Sequence, residues 1–136
     1  MTRSRLTLSV DEANKIFTIR YIGEIAGDEI NQSLLQQVSQ IDKPWDYDSV
    51  IDMRRHDGMV LATEIEELGK RWALLAQGRD HGRLTAIISD DPLVHARQGQ
   101  SQAMFPHRVL KAFARLDEGL EWIYAGRDTS PQAIAI

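Results

Sequence analysis

Two short apolar runs decide the fold class: SVIDM at residues 49–53 and LTAIIS at residues 84–89. Both are short, mainly apolar runs with β-branched side chains, a profile typical of strands that are covered on both faces. A third run, VLKAF at residues 109–113, predicts the last strand. Strands that alternate with helices pair in parallel and are joined by right-handed crossovers. The runs therefore predict the centre of a parallel α/β sheet.

A period of two near the N-terminus predicts an antiparallel hairpin. Leu6, Leu8 and Val10 alternate with polar residues, and residues 15–22 continue the period after a polar turn at residues 11–14. Alternation of this kind is typical of half-buried strands. We expect the hairpin to form one edge of the sheet.

Apolar residues recur at helical spacing between and after the central strands. The three stripes are Ile30, Leu34, Val38 and Ile41 before Pro44; Ile65, Leu68, Trp72 and Leu75 before Gly78; and Leu116, Leu120, Ile123 and Tyr124 before Gly126. Thr63 and Glu66 match a capping box that would begin the second helix. On the solvent side of that helix, Glu66/Lys70 and Glu67/Arg71 are spaced to form i,i+4 ion pairs.

A weaker helix is predicted after the LTAIIS strand. Asp90 and Asp91 precede Pro92, the pattern of an N-cap followed by proline at the first helical position. Gly99 and the alternating glutamines that flank it lower the helix propensity. Because mobile elements come from the least stable parts of a fold, we hypothesise that this segment is a flap over an apolar groove; a frayed surface helix is the alternative. The groove would be lined by Leu93, Val94, Met104 and Phe105.

These elements predict an α/β fold in the order ββαβαβαβα. The sheet is mostly parallel, an antiparallel hairpin forms its edge, and the helices pack on the sheet. No repeat, linker or charge block divides the 136 residues, a length within the usual range of one domain. We therefore predict a single domain over residues 1–126 and a C-terminal tail over residues 127–136.

Composition excludes several kinds of site. The chain has no cysteine, which removes disulfides, thiolate metal sites and a cysteine nucleophile. Its net charge of -4 has the wrong sign for a general nucleic-acid partner. The longest apolar run, residues 72–76, is too short to span a bilayer, and the N-terminus lacks the apolar stretch of a signal peptide. We expect a cytoplasmic protein with no transmembrane segment, metal or cofactor.

Three segments resemble the STAS superfamily, and among its members the stand-alone bacterial SpoIIAA-like proteins. They are VIDMR at 50–54, LTAIISDDP at 84–92, and VLKAF at 109–113 with DEGLEWI at 117–123. The resemblance implies a SpoIIAA-like fold, whose class is shared with CRAL-TRIO lipid-binding domains. It also implies a phosphorylated serine at the start of the second helix, but residues 57–63 have no such motif. Thr63 is the only hydroxyl there and stays a weak phosphorylation candidate.

Polar residues follow both central strands, where ligands gather in open parallel sheets. The candidate set for a ligand or partner is Asp52, Arg54, Arg55, His56, Thr63, Ser89, Asp90 and Asp91. Arg54 and Arg55 are suited to gripping a carboxylate or phosphate. In the competing interpretation, Asp52 pairs with one arginine and the other residues are merely solvated. Asp91 and His95 share a helical spacing that two metal ligands could use, but no third ligand accompanies them.

Three function classes follow from this pattern. The preferred one is a non-catalytic regulatory or binding module that engages a protein partner or small anionic ligand, with a homodimer expected. The second is a carrier of a lipid or other apolar small ligand, by analogy with CRAL-TRIO domains, although the short chain leaves little room for a whole lipid. The third is an enzyme that uses His56 and Asp52; neither a nucleophile elbow nor a phosphate-binding loop is present.

Overall fold

The computed structural model describes residues 5–24, 27–57 and 60–128. Five strands and five α-helices follow the predicted order, except that the weak helix is divided in two. The elements are β1 (Arg5–Asp11), β2 (Ile16–Gly23), α1 (Gly27–Val38), β3 (Asp48–His56), α2 (Ala62–Ala76), β4 (Leu84–Ile88), α3 (Pro92–Ala96), α4 (Gln98–Met104), β5 (Val109–Phe113) and α5 (Leu116–Asp128). None of the helices in these ranges is long and apolar enough to cross a membrane.

The sheet has the order β1-β2-β3-β4-β5. Strands β1 and β2 pair antiparallel from Arg5↔Ile22 to Asp11↔Ile16, and all later pairs are parallel. The α/β class and the antiparallel hairpin edge are therefore confirmed. The turn of the hairpin is held by Asp11, whose carboxylate accepts hydrogen bonds from the backbone and side-chain nitrogens of Asn14 at 3.1 and 2.8 Å.

The order of the strands decides which helices share a face. Each parallel strand lies beside the previous one, so right-handed crossovers place α1, α2 and the α3–α4 segment on the same side of the sheet. Helix α5 follows the last strand and packs on the opposite side, against β3, β4 and β5. The protein therefore has one sheet face covered by three connections and one covered by a single helix.

The α5 face is tightly packed. Val50, Ala86, Ile88 and Ile123 are all 0% exposed. Gly119 lets the helix approach closely, because a Cβ atom built there would lie 2.7 Å from Ile88 Cδ1. This face therefore has the density expected of a protein core.

The opposite face is buried mainly near its hairpin side. Its core includes Phe17, Ile19 and Tyr21 of β2 and the α1 stripe Ile30, Leu34 and Val38. Ile51 of β3 and Ile87 of β4 lie on the same face at the centre of the sheet, yet both remain partly exposed. Trp72 and Ala76 of α2 join this core. Part of the space between α2 and the central strands nevertheless stays open.

Two predicted helix boundaries are wrong. Helix α2 begins one residue before Thr63, and the Glu64 carboxylate accepts the backbone N–H of Leu61 at 3.0 Å. Glu64, not Glu66, therefore caps the helix, and Thr63 lies inside the first turn. The i,i+4 pairs Glu66–Lys70 and Glu67–Arg71 are confirmed at 3.2 and 2.9 Å.

Helix α5 also departs from its predicted end. It continues through Gly126 to Asp128, and Arg127 Nε donates to Asp48 Oδ2 at 2.7 Å. Arg127 therefore belongs to the folded domain, and residues 129–136 of the predicted tail lie outside the described residues. Tyr124, expected on the inner face, is exposed, whereas Ile123 is buried as predicted.

The glutamines of the weak helix cover the edge strand β5. Gln98 Oε1 accepts the backbone N–H of Ala112, and Gln102 Oε1 accepts that of Leu110, both at 2.8 Å. An uncovered edge strand exposes a row of unpaired backbone groups that promotes aggregation. The residues that weaken the helix therefore tie the α3–α4 segment to the sheet.

Candidate functional site

The predicted polar cluster at the ends of β3 and β4 is only partly brought together. Asp52 is buried and accepts two hydrogen bonds from the Arg54 side chain, from Nε at 2.9 Å and Nη2 at 2.8 Å, and one from its backbone N–H at 3.1 Å. Arg20 lies 3.8 Å from the same carboxylate. Arg54 is thus bound in a two-pronged ion pair, as the competing interpretation of this cluster expected.

The pKa of Asp52 reflects this pairing. Burial acts to raise the pKa of the carboxyl, but the hydrogen bonds from Arg54 and the positive charges of Arg54 and Arg20 outweigh it, so the pKa is lowered. Asp52 is therefore a permanently charged structural partner of Arg54 at neutral pH.

The other predicted site residues divide into two groups. Arg55 and Thr63 are exposed and lie outside the cavity described below. His56, Ser89, Asp90 and Asp91 line that cavity, as does Arg54. Asp91 caps α3 as predicted, since its carboxylate accepts the backbone N–H of Leu93 at 2.9 Å.

A cavity of about 490 Å³ lies between the sheet and the three helical connections. Its sheet wall includes Ile19, Ile51 and Ile87, and its helical wall includes Leu34 of α1 and Leu68 of α2. A groove was predicted at this position, but its boundaries differ. Leu93, Val94 and Phe105 line it as expected, whereas Met104 does not.

Met104 instead lies at the contact between α4 and α2, where its backbone packs against Gly69. A Cβ atom at Gly69 would lie 2.5 Å from the Met104 backbone oxygen, so only glycine permits this contact. On the other side of the segment, Arg97 Nη1 donates to the carbonyl of Val60 at 3.0 Å. The α3–α4 segment is thus held at both α2 and β5, and its motion as a flap stays a prediction.

The cavity runs along the strands from a buried end to an exposed end. Ser49 and Thr85 are buried near the amino ends of β3 and β4, whereas Asp57 and Asp90 beyond their carboxyl ends are exposed. A strand advances about 3.3 Å per residue, so the four steps from Thr85 to Ser89 span roughly 13 Å. The mouth of the cavity therefore lies at the carboxyl ends of β3 and β4, where a ligand site was predicted, and its floor lies at their amino ends.

The floor is built around Arg108, which is only 5% exposed. Its Nε donates to Thr85 Oγ1 and its Nη2 to the carbonyl of Tyr47, both at 2.9 Å. Ser49 Oγ lies 3.3 Å from the same Nη2 and 2.8 Å from Thr85 Oγ1. Nη1 is buried and has no hydrogen-bond partner within the described ranges.

Two carboxylates balance the buried charge of Arg108. Asp80 Oδ2 lies 3.6 Å from Nη1 and accepts the indole N–H of Trp72 at 2.7 Å. Asp48 lies nearby and pairs with Arg127. Burial lowers the pKa of Arg108 to about 10, and the charges of Asp80 and Asp48 limit the decrease. Arg108 therefore stays protonated at neutral pH.

His56 is the second buried polar group without a partner. It lines the cavity and packs edge-on against Tyr21, with ring centroids 5.5 Å apart. Its Nε2 has no hydrogen-bond partner in the part of the chain that is described. Asp52, which the enzyme hypothesis pairs with His56, is hydrogen-bonded to Arg54 instead.

The described residues contain no group of three or more side chains suited to a metal ion. His95 Nε2 contacts the carbonyl of Ser89 at 2.7 Å, while Asp91 caps α3. Asp91 and His95, the two residues considered as metal ligands, therefore both help to hold the segment after β4.

The sequence interpretation missed the floor of the cavity. Arg108 lies between two predicted elements and looks like an ordinary solvated loop residue. The available signal was the pair Ser49 and Thr85, one hydroxyl near the start of each central strand in otherwise apolar runs. In strands covered on both faces, a hydroxyl needs a buried partner, and here that partner is Arg108.

Comparison with known proteins supports the fold. No protein-family profile and no curated protein matches the chain. A crystal structure of an uncharacterized DUF3478 family protein from Shewanella loihica PV-4, described as having a SpoIIAA-like fold, matches with a TM-score of 0.59 at 16% identity. The match covers 90% of this chain and 95% of that one. The chain thus has a SpoIIAA-like fold, as the sequence resemblance implied.

Proposed function

We propose that this protein is a non-catalytic binding module that holds one largely apolar small molecule in the cavity between its sheet and helices. This favours the carrier hypothesis over a ligand gripped by Arg54 and Arg55 at the ends of the strands. The cavity is the observation that carries the proposal. Its volume of about 490 Å³ lies within the range of roughly 300–1,000 Å³ typical of small-molecule sites.

The contrast between the two sheet faces supports a built cavity. Val50 and Ala86 on the α5 face are completely buried, while their sequence neighbours Ile51 and Ile87 on the other face are partly exposed. Ile51 and Ile87 are paired across β3 and β4, at the centre of the sheet. A sheet centre is normally its most buried part, so exposure there indicates that the cavity reaches the middle of the molecule.

The lining of the cavity argues for an apolar occupant. Water is a poor occupant of the central part, because an ordered water needs two to four polar partners and the walls there are isoleucine and leucine. An apolar ligand fits this lining better.

The arrangement of polar groups indicates the shape of the ligand. Polar side chains lie at the floor and at the mouth, and apolar side chains lie between them. An elongated molecule with an apolar body satisfies this pattern. The volume suits a single chain of this kind, in keeping with the expectation that a whole lipid with two chains would not fit.

The alternative of an anion at Arg54 has less support. Arg54 already donates two hydrogen bonds to Asp52, so an anion would have to displace a buried carboxylate. A protein partner at the mouth is compatible with the proposal, since Asp57, Asp90 and Leu93 are exposed there. No described contact favours a particular partner.

The test is binding of a neutral fluorescent dye, N-phenylnaphthylamine, to the wild-type protein and to two tryptophan variants. Ile51→Trp adds bulk inside the cavity and should abolish dye binding while leaving the protein folded. Leu74→Trp adds similar bulk on α2, where Leu74 is 78% exposed, and should bind dye as wild type does. Equal dye binding by both variants would exclude the cavity as the site.

Native mass spectrometry gives an independent measurement. Protein purified without denaturation should carry a small molecule that the Ile51→Trp variant lacks. An identical mass spectrum for bound species in the wild type and both variants would count against a ligand in this cavity.

A further inference from the structure

We propose that Arg108, Ser49 and Thr85 form a receptor for a neutral oxygen acceptor, such as a ketone or ester carbonyl, at the buried end of the ligand. This inference rests on the proposed function, since it assigns a chemical class to the molecule in the cavity. It also sets the direction of the ligand: the polar end enters first and the apolar body follows toward the mouth.

The hydrogen bonds at the floor leave donors in excess. Arg108 has five N–H donors. Nε and Nη2 donate to Thr85, Tyr47 and Ser49, and the Leu84 carbonyl is a fourth acceptor at 3.4 Å. Nη1 has no hydrogen-bond partner among the described residues. The distance of 3.6 Å from Nη1 to Asp80 is an ion-pair distance and too long for a hydrogen bond.

The two hydroxyls add to this excess. Ser49 Oγ and Thr85 Oγ1 are 2.8 Å apart, so one hydroxyl proton lies between them and the other is left over. Both oxygens already accept from Arg108. The floor therefore offers N–H and O–H groups but few free acceptors. An amine or ammonium group has no matching partner there, whereas an oxygen with free lone pairs does.

The charge balance favours a neutral acceptor over an anion. Arg108 faces Asp80 across 3.6 Å, and Asp48 is paired with Arg127 at 2.7 Å. Asp80 and Asp48 therefore already offset the charge of Arg108, and Arg83 also acts on it. A carboxylate ligand would lie beside Asp80, and two negative charges close together in a buried site repel each other strongly. A carbonyl oxygen uses the same donors without adding charge.

The position of Arg108 allows it to discriminate between ligands that carry an oxygen acceptor and ligands that do not. Its guanidinium is fixed by four hydrogen-bond partners at the floor. The indole of Trp72 lies beside it, with the ring centroid 5.6 Å from Cζ. A site that is held rigidly before binding loses little conformational freedom when the ligand enters. Leaving its donors unpaired against a pure hydrocarbon is costly, so the ligand preference should be large enough to measure.

The experiment compares four molecules with matched chains: methyl decyl ketone, dodecane, dodecylamine and dodecanoate. Each displaces N-phenylnaphthylamine from the wild-type protein. The ketone should bind about 10- to 100-fold more tightly than dodecane, as expected for a hydrogen bond to a charged donor, and dodecylamine should be the weakest of the three oxygen- or nitrogen-bearing molecules. Equal affinities for ketone and alkane would overturn the inference.

Variants assign the preference to Arg108. Arg108→Met together with Asp80→Asn removes both charges, so that neither is stranded in the interior. This double variant should lose most of the preference for the ketone, because only the hydroxyls of Ser49 and Thr85 remain at the floor. Arg115→Met together with Asp117→Asn is the matched control, since it removes an exposed ion pair outside the cavity, and it should keep the preference for the ketone. Retention of that preference by the Arg108→Met and Asp80→Asn variant would contradict the assignment.

The outcomes separate this inference from the proposed function. If the wild type binds dye and all four molecules displace it equally, the cavity binds ligands but the receptor at the floor does not select an oxygen. If dodecanoate binds more tightly than the ketone, the neutral class is wrong and Arg108 recognises an anion. If no dye binds and none of the four molecules is retained, the proposed function itself fails.

Discussion

Replacing Asp80 should destabilise the protein far more than its single carboxylate suggests. Asp80 is 2% exposed, lies 3.6 Å from Arg108 and accepts the indole N–H of Trp72 at 2.7 Å. Asp80→Ala removes one of the carboxylates that balance the buried charge of Arg108, and it leaves the buried indole N–H of Trp72 without an acceptor. Breaking one half of a buried ion pair costs about 3–5 kcal/mol. The stranded indole N–H adds about 1–3 kcal/mol where it cannot reach water.

Equilibrium urea unfolding, followed by tryptophan fluorescence and far-UV circular dichroism, measures this loss. Asp80→Asn keeps an oxygen for Trp72 and removes only the charge, so its free energy of unfolding should fall between those of wild type and Asp80→Ala. The double variant Arg108→Met with Asp80→Asn should recover part of the loss, because removing both charges of a buried pair is milder than removing one. The double variant also reports on the pair if Asp80→Ala does not fold.

Asp117→Ala provides the matched control on the surface. Asp117 pairs with Arg115 at 2.8 Å, but both side chains are exposed. Exposed ion pairs contribute about 0–1 kcal/mol, so this variant should unfold close to wild type. If Asp80→Ala and Asp117→Ala changed the free energy of unfolding equally, the account of a buried, charge-balanced floor would be refuted.

Two further predictions concern the opposite side of the molecule and its acid stability. The folded pKa of Asp52 is lowered from its ordinary value of 3.8. The stability contributed by its pairing with Arg54 is therefore present above pH 3.8 and lost as the pH falls through the folded pKa. The urea midpoints of wild type and Asp52→Asn should converge in acid, and a difference that stays constant with pH would contradict the pairing. Gly119→Ala should destabilise the protein by about 1–3 kcal/mol, since the new Cβ would lie 2.7 Å from Ile88 Cδ1. Gly99→Ala is its control, because nothing lies within 4 Å of that Cβ position and alanine favours a helix over glycine by up to about 1 kcal/mol. The midpoints of thermal unfolding of the two variants should shift in opposite directions from that of the wild type.

The order of elements along the chain and the main helices follow directly from local patterns. The period-two runs of the hairpin and the apolar runs of β3 and β4 predict both the elements and the direction of pairing. Ile30, Leu34 and Val38 are all buried as their spacing indicates. These predictions succeed because the burial of a regular element is encoded in its own periodicity.

The cavity could not be predicted in the same way. Val50 and Ile51 are adjacent β-branched residues in one strand, and the sequence gives no reason to pack one completely and leave the other facing open space. The difference depends on how closely each helix approaches the sheet. The start of α2 shows a related failure: Thr63 and Glu66 match a capping box by residue type, but the chain begins the helix earlier and uses Glu64.

Glycine placement explains how one sheet can have a dense face and a hollow one. On the α5 side, Gly119 and Gly126 face the strands, where a Cβ atom would lie 2.7 Å from Ile88 Cδ1 and 2.5 Å from Leu84 Cδ1. On the other side, Gly69 of α2 faces the Met104 carbonyl of α4 and not the sheet. Gly119 and Gly126 thus allow α5 to pack closely on the strands, whereas Gly69 allows α2 to pack closely on α4. The dense face supplies a stable core, and this leaves the opposite face free to keep a space that a ligand can fill.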